Sequence, residues 1–296
     1  MKTVPFTIIA KDGVDIQIEL TQDETKPTKG VVIVVHGFGE HIGSYKELVL
    51  VLAEAGYASI VFDQRGHGDL RRYGKLEKLQ GIVPSYKTLL DDIDIVVAEA
   101  QRLVPDVPIA MYGHSMGGNI IVNYLIRPGK EKSTNRNFPV FNQSDFACVV
   151  LESPWFGLYN EISPMQAFVT KMLGHISPKL AMSKKSTSEK FASEEDNEEE
   201  DDDDIFCHSR ISFRLIAGAK NGCVNALKNG SKINIPVYFA IGANDRTVCN
   251  KAITNLANVI GSNATTKEYD AHHGIRNDSV KKEFFTDVVA YLDENI

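Results

Sequence analysis

Short unbroken apolar runs alternate along the chain with stretches whose apolar positions recur every three or four residues. VVIVVHG at 31–37, ASIVFD at 58–63, PIAMYGHS at 108–115, FACVVLESP at 146–154, IPVYFAIG at 235–242 and TTKEYD at 265–270 read as strands. Between them, the stretch from Ser85 to Pro105 places Leu89, Ile93, Val96, Val97, Ala100 and Leu103 on one helical face. NIIVNYLI reads as a buried helix stopped by Pro128-Gly129. A last helix starts at Ser279, with Asp278 as its N-cap and Val280, Phe284, Val288 and Leu292 facing inward. The N-terminal MKTVPFTIIAKDGVDIQIEL is strand-like around a turn at Asp12-Gly13. Strands alternating with helices predict an α/β fold, a mostly parallel sheet with helices on both faces.

The alternation breaks between Ser153 and Ile235, an interval too long for one crossover. SPMQAFVTKMLGHI at 163–176 predicts one amphipathic helix, with Ser163 as N-cap, Pro164 in the first turn and Gln166 completing a capping box. Met165, Phe168, Val169, Met172, Leu173 and Ile176 form its apolar stripe. The segment SKKSTSEKFASEEDNEEEDDDD can bury nothing and predicts a solvated loop over about 183–204. Helix resumes from Ile205 to about Asn229. The expected organisation is a core of residues 1–154 and 231–296, with residues 155–230 inserted as a helical cap split by the acidic loop.

Charge sharpens this picture. The net charge is −7, yet the run EEDNEEEDDDD at 194–204 carries ten acidic residues, so the remainder sums to about +3. No clustered basic face suggests a nucleic-acid partner. Cys148, Cys207, Cys223 and Cys249 form no CxxC pair or metal-ligand spacing and suit a reducing, cytoplasmic setting. The opening residues lack a signal-peptide pattern, and no run is long enough to cross a membrane.

The chemistry starts from GHSMG at 113–117, a G-x-S-x-G motif between an apolar strand and an apolar helix. Such a turn projects the Ser115 hydroxyl from the sheet, with the following helix N-terminus aimed at the site. A nucleophilic serine needs a base and an acid, in the chain order Ser, acid, His. Asp245 lies just after a strand, in AIGANDRTV, where the acid is expected; the alternative is a turn residue or a helix cap before Thr247. Glu152, at another strand end, is the rival acid. AHHGIRND at 271–278 follows the last strand and offers two histidines, His272 and His273. The negative oxygen of a tetrahedral intermediate needs two backbone donors, assigned to the amides of Met116 and Phe38.

HGFGEH at 36–41, DQRGHG at 63–68, GIVPSYKTLLDDID at 81–94, GHSMGG at 113–118 and the surroundings of Asp245 and His273 together resemble the monoacylglycerol lipase-like group of α/β-hydrolases. The resemblance spans nearly the whole chain, apart from the acidic loop and the polar stretch 130–145. It implies hydrolysis of monoacylglycerol, lysophospholipid or related esters without a cofactor, under a cap that forms an apolar acyl tunnel and often touches membranes. In this group the catalytic histidine is followed four and five residues later by Asn and an acid. Asn277 and Asp278 therefore select His273. The group often carries an arginine before the tyrosine that follows GEH, where this chain has Ser44. The "DP" often seen before the second cap helix is replaced by the acidic run.

The expectation is a serine ester hydrolase with Ser115 as nucleophile, His273 as base and acid, and Asp245 as its orienter. Glu40, His114, Phe168 and Met172 are candidate substrate contacts, Phe168 and Met172 as pocket lining. A lipid or small ester is the expected partner, with peripheral membrane contact through the cap. His36, His41 and His67 read as loop braces, and no metal is expected. A short-chain esterase, thioesterase or acyltransferase on the same triad remains open, as does a non-catalytic lipid-binding protein; the oligomeric state is not legible.

Overall fold

The computed structural model describes residues 1–128, 141–161, 163–177, 179–183 and 204–296. The acidic run up to Asp203, Gly129 of the expected helix stop and most of the polar stretch 130–145 lie outside the described residues.

The sheet has eight strands: β1 (Lys2–Ile9), β2 (Asp15–Gln22), β3 (Gly30–Val35), β4 (Tyr57–Phe62), β5 (Ile109–His114), β6 (Cys148–Glu152), β9 (Val237–Gly242) and β10 (Ala264–Tyr269). Its order is β1-β2-β4-β3-β5-β6-β9-β10, with β1 and β2 antiparallel and every pair from β4 onward parallel. The two-residue strands β7 (Ala181–Met182) and β8 (Ile211–Ser212) pair outside it. Every residue of β3, β4, β5, β6 and β9 is buried, which accounts for their unbroken apolar runs. β2 alternates, as a strand near an edge should, and the β1–β2 hairpin turns through Gly13 at φ 82°.

Helices α1 (Lys46–Glu54), α2 (Leu76–Leu79), α3 (Tyr86–Leu103), α4 (Met116–Leu125), α5 (Pro164–Ile176), α6 (Phe213–Asn229), α7 (Asn250–Ile260) and α8 (Lys281–Asn295) complete the described elements. One sheet face buries Ile93 of α3, Ile120 of α4, Leu215 of α6 and Ile253 of α7. The other buries Leu48 and Leu52 of α1 with Phe284 and Val288 of α8. Each such side chain contributes about 1.5–3 kcal/mol by leaving water. The α/β-hydrolase expectation holds. Helix α8 starts at Lys281, two residues later than expected: the Asp278 carboxylate accepts from Ser279 N–H, and Lys281 N–H donates to the Asp278 carbonyl.

Between β6 and β9 the chain runs through α5 and α6. Ser163 caps α5 and Gln166 returns the bond to the Ser163 amide, as the sequence predicts. The helix expected from Ile205 begins only at Phe213. Residues 204–210 are instead an irregular strap that runs into β8, because their polar groups are satisfied by the body. His208 N–H donates to Gly39 C=O at 2.9 Å and Ser212 N–H to Gly81 C=O at 3.0 Å. The Arg210 Nη1 donates to the Lys78 and Gln80 carbonyls, both at 3.0 Å.

Candidate active site

Ser115 stands alone between β5 and α4, at φ 48° and ψ −114°. A non-glycine residue in this region stores about 1–3 kcal/mol of backbone strain, and its surroundings hold it there. Ser115 N–H donates to Glu152 C=O at 3.0 Å and its carbonyl accepts from Trp155 N–H at 2.9 Å. The tightness explains the motif: a Cβ on Gly117 would lie 1.9 Å from Val35 O, so helix α4 reaches the sheet only with glycine there.

His273 follows β10, and its Nδ1 lies 2.7 Å from Asp245 Oδ2. A carboxylate only accepts, so Nδ1 carries a proton, and in the neutral ring Nε2 is the acceptor. Asp245 Oδ1 accepts from Thr247 N–H at 2.7 Å and Val248 N–H at 3.0 Å. The two readings of this residue, turn former and histidine partner, are both occupied, one per oxygen. Burial pushes the Asp245 carboxyl up, but the neighbouring imidazole and these amides outweigh it and hold the carboxyl below its ordinary value. The His273 ring lies 4.8 Å, centroid to centroid, from that of His114, the residue before Ser115. The rival acid Glu152 points elsewhere, toward Arg276 and the Tyr112 hydroxyl. His272 is half exposed; its amide and Nδ1 lie 2.9 and 3.0 Å from Asp278 Oδ2. The acid expected to frame His273 thus pairs with its neighbour.

The loop expected to supply the Phe38 amide follows β3. Gly37 N–H donates to Glu40 Oε2 at 2.5 Å, and Gly37 C=O accepts from His36 Nδ1 at 2.7 Å. In a planar trans peptide the next N–H, that of Phe38, points opposite to this carbonyl. His36 therefore fixes the direction of the Phe38 amide, while Glu40 holds the peptide before it. Among the described residues, neither Phe38 N–H nor Met116 N–H has a protein acceptor. The strap covers this loop so closely that a Cβ on Gly39, at φ 80°, would meet His208 O at 2.1 Å.

Glu40 and His114 lie beneath the loop with partners of their own. Glu40 accepts from the Tyr45 hydroxyl at 2.6 Å, pairs with Arg276, and sits 3.2 Å from His114 Nδ1. Phe168 and Met172 are 59% and 49% exposed on α5, part of an open apolar stripe with Met165, Val169 and Ile176. Where the resemblance places an arginine, Ser44 accepts from the His41 amide. A guanidinium nevertheless lies 4.5 Å over the Tyr45 ring, supplied by Arg276. Sequence reasoning missed Arg276, because its partners lie 124 and 236 positions away.

It also missed the strap's anchor. Among the described residues, His41, Asp204 and Cys207 each bring one possible ligand atom within 4.8 Å of the others. Nδ1 of His41 accepts from Gly43 N–H at 3.1 Å, so the proton sits on Nε2, 2.6 Å from Asp204 Oδ2. A metal at Nε2 would require Nδ1 to donate, against another donor. The trio fits a hydrogen-bonded clamp between the strap and the loop after β3 better than a metal site.

A family model described as serine aminopeptidase, S33 matches residues 26–279. The chain is 24% identical to an uncharacterised abhydrolase domain-containing protein of Dictyostelium discoideum over 98% of its own length and 29% of that protein. It is 30% identical to a monoacylglycerol lipase of Mycolicibacterium smegmatis over 56% of its own length and 52% of the relative. It thus spans about a third of the first relative and about half of the second. The crystal structure of Paleococcus ferrophilus monoacylglycerol lipase superposes with a TM-score of 0.71 at 23% identity, covering all of both chains.

Proposed function

The chain belongs to the serine aminopeptidase S33 family of α/β-hydrolases, and from that premise we propose that it hydrolyses the acyl ester of a monoacylglycerol or a lysophospholipid-like lipid. The observation that carries the catalytic part is the 2.7 Å contact between His273 and Asp245 beside the strained Ser115 turn. The His273 Nε2 lone pair takes the Ser115 proton as Oγ attacks the ester carbonyl. Asp245 stabilises the imidazolium that forms. The amides of Phe38 and Met116 receive the developing oxyanion, and His273 returns the proton to the leaving alcohol. Water then releases the acyl group by the same steps in reverse order.

The lipid part draws support from the lipase relative and from the exposed stripe of α5, where Met and Phe suit flexible acyl chains. The same stripe is the surface we assign to peripheral membrane contact, in a chain with no described helix long and apolar enough to cross a membrane. The test is fluorophosphonate labelling combined with hydrolysis of monoacylglycerols of increasing chain length. Wild type is expected to label and turn over. Ser115→Ala is expected to lose labelling, and Asp245→Asn to lose about 10⁴-fold in kcat. An unlabelled wild type, or Ser115→Ala labelling equally well, overturns the mechanism. Turnover confined to very short acyl chains overturns the lipid substrate.

A further inference from the structure

We propose that Arg276 is a positioning residue that locks the oxyanion loop to the histidine loop, gripping Glu40 on one side and Glu152 on the other. The inference rests on the serine-hydrolase reading above. Arg276 lies three residues after His273 in the short turn Ile275–Asn277 and is 3% exposed. Its backbone N–H donates to Glu152 Oε1 at 2.8 Å, its Nη1 to Glu152 Oε2 at 2.9 Å, and its Nη2 to Glu40 Oε1. The guanidinium stacks on Tyr45, whose hydroxyl donates to Glu40.

Each carboxylate then holds one part of the catalytic apparatus. Glu40 receives Gly37 N–H and so holds the peptide adjoining the one that carries the Phe38 amide, whose carbonyl His36 holds. Glu152 belongs to the residue whose carbonyl receives Ser115 N–H. The guanidinium joins both to the loop that carries His273. Only an ionised Glu40 can accept from Gly37 N–H, the Tyr45 hydroxyl and the guanidinium together. Burial opposes that ionisation, and the guanidinium is the chief charge that overcomes it for both glutamates. A planar fork can serve two carboxylates on different sides, whereas a lysine ammonium reaches one well. The groups facing the guanidinium include Glu40, Glu152, Tyr45 and Tyr112; Asp245 and His114 are among those facing the His273 ring.

A buried ion network of purely structural value would lower the yield of folded enzyme without changing each active site. The experiment therefore counts active sites with a fluorophosphonate and measures p-nitrophenyl butyrate hydrolysis per labelled site, in wild type, Arg276→Lys and Arg276→Met. Arg276→Met is expected to lose about 100-fold in kcat per site with KM within threefold, the cost typical of a small misplacement. Its acid limb should move to higher pH, because without the guanidinium burial raises Glu40, which must be ionised to hold the Gly37 amide. Arg276→Lys should recover about tenfold of the loss and return the limb toward wild type. If Arg276→Met does not fold, Arg276→Lys decides alone, by a loss of about tenfold in kcat per site. Variants whose labelled sites turn over at the wild-type rate, with an unmoved limb, overturn the positioning role and leave the mechanism standing. A wild type that neither labels nor turns over overturns both.

Discussion

His272 and His273 are covalent neighbours with opposite surroundings, and the difference is a matter of one carboxylate each. Asp245 is buried and reaches His273, while Asp278 lies at the surface and reaches His272. An exposed pair of the second kind is worth about 0–1 kcal/mol, so His272→Ala should leave ester hydrolysis within about threefold. His273→Ala should remove about 10⁴-fold or more of kcat, since the residues of such a unit fail together. Steady-state rates on the two folded variants check this, and the reverse pattern would show that the wrong imidazole was chosen. Apart from the resemblance that selected His273, the residues themselves left the two histidines equivalent, because the direction of a side chain in a loop after a strand depends on contacts far along the chain. Ser115 was legible for the opposite reason. Its requirements are local: an apolar strand, a small residue after it and an apolar helix, all within about ten positions. Arg276 carried no local signal, and its role emerges only when residues 40, 152 and 276 meet.

Elements were readable where their own side chains settle them. The Ser163 box caps α5, and Ser85 accepts from Thr88 N–H to start α3, both within a single turn. The helix expected from Ile205 is a strap and then β8 up to Ser212, because its backbone partners, Gly39 and Gly81, belong to other loops. Helix α5 is the informative case for function. Its inner contact is close, with Gly174 against Arg214 of α6, yet Phe168 and Met172 stay open to solvent. Removing exposed apolar groups changes folding stability by about 0.5 kcal/mol or less. The double variant Phe168→Ser, Met172→Ser should therefore keep its melting temperature and its butyrate ester turnover within twofold. If the stripe meets acyl chains, kcat/KM for a long-chain monoacylglycerol should fall at least tenfold. Equal effects on both esters would remove this face from substrate recognition.

At the scale of the molecule, the parallel sheet buries its central strands on both faces and gathers the loops at their C-terminal ends into one polar layer beneath the site. His36, His67 and His208 are confined in that layer. Burial depresses all three, His36 and His208 to about 4 and His67 well below its ordinary value. The sign of the consequence follows from where protons bind. An unfolded histidine takes its proton near pH 6.5, while these folded ones resist it, so stability is present above that pH and is lost as pH falls toward 4. Each contributes on the order of 1 kcal/mol per pH unit across this window. Glu40 and Glu152, held below their ordinary value mainly by Arg276 against the effect of burial, add a loss that begins near pH 4.5. Asp63 and Asp92, pushed up by burial, act in the opposite sense. The net expectation is a loss of about 2–3 kcal/mol between pH 7.5 and 5.5, read from urea midpoints at constant m-value. Because the three imidazoles brace Phe38 and the loops around it rather than a distant surface, esterase activity should decline over the same range in which the fold weakens. A urea midpoint unchanged down to pH 5 would mean that these rings accept protons in the folded state, and that the layer beneath the oxyanion loop is wetter than its packing indicates.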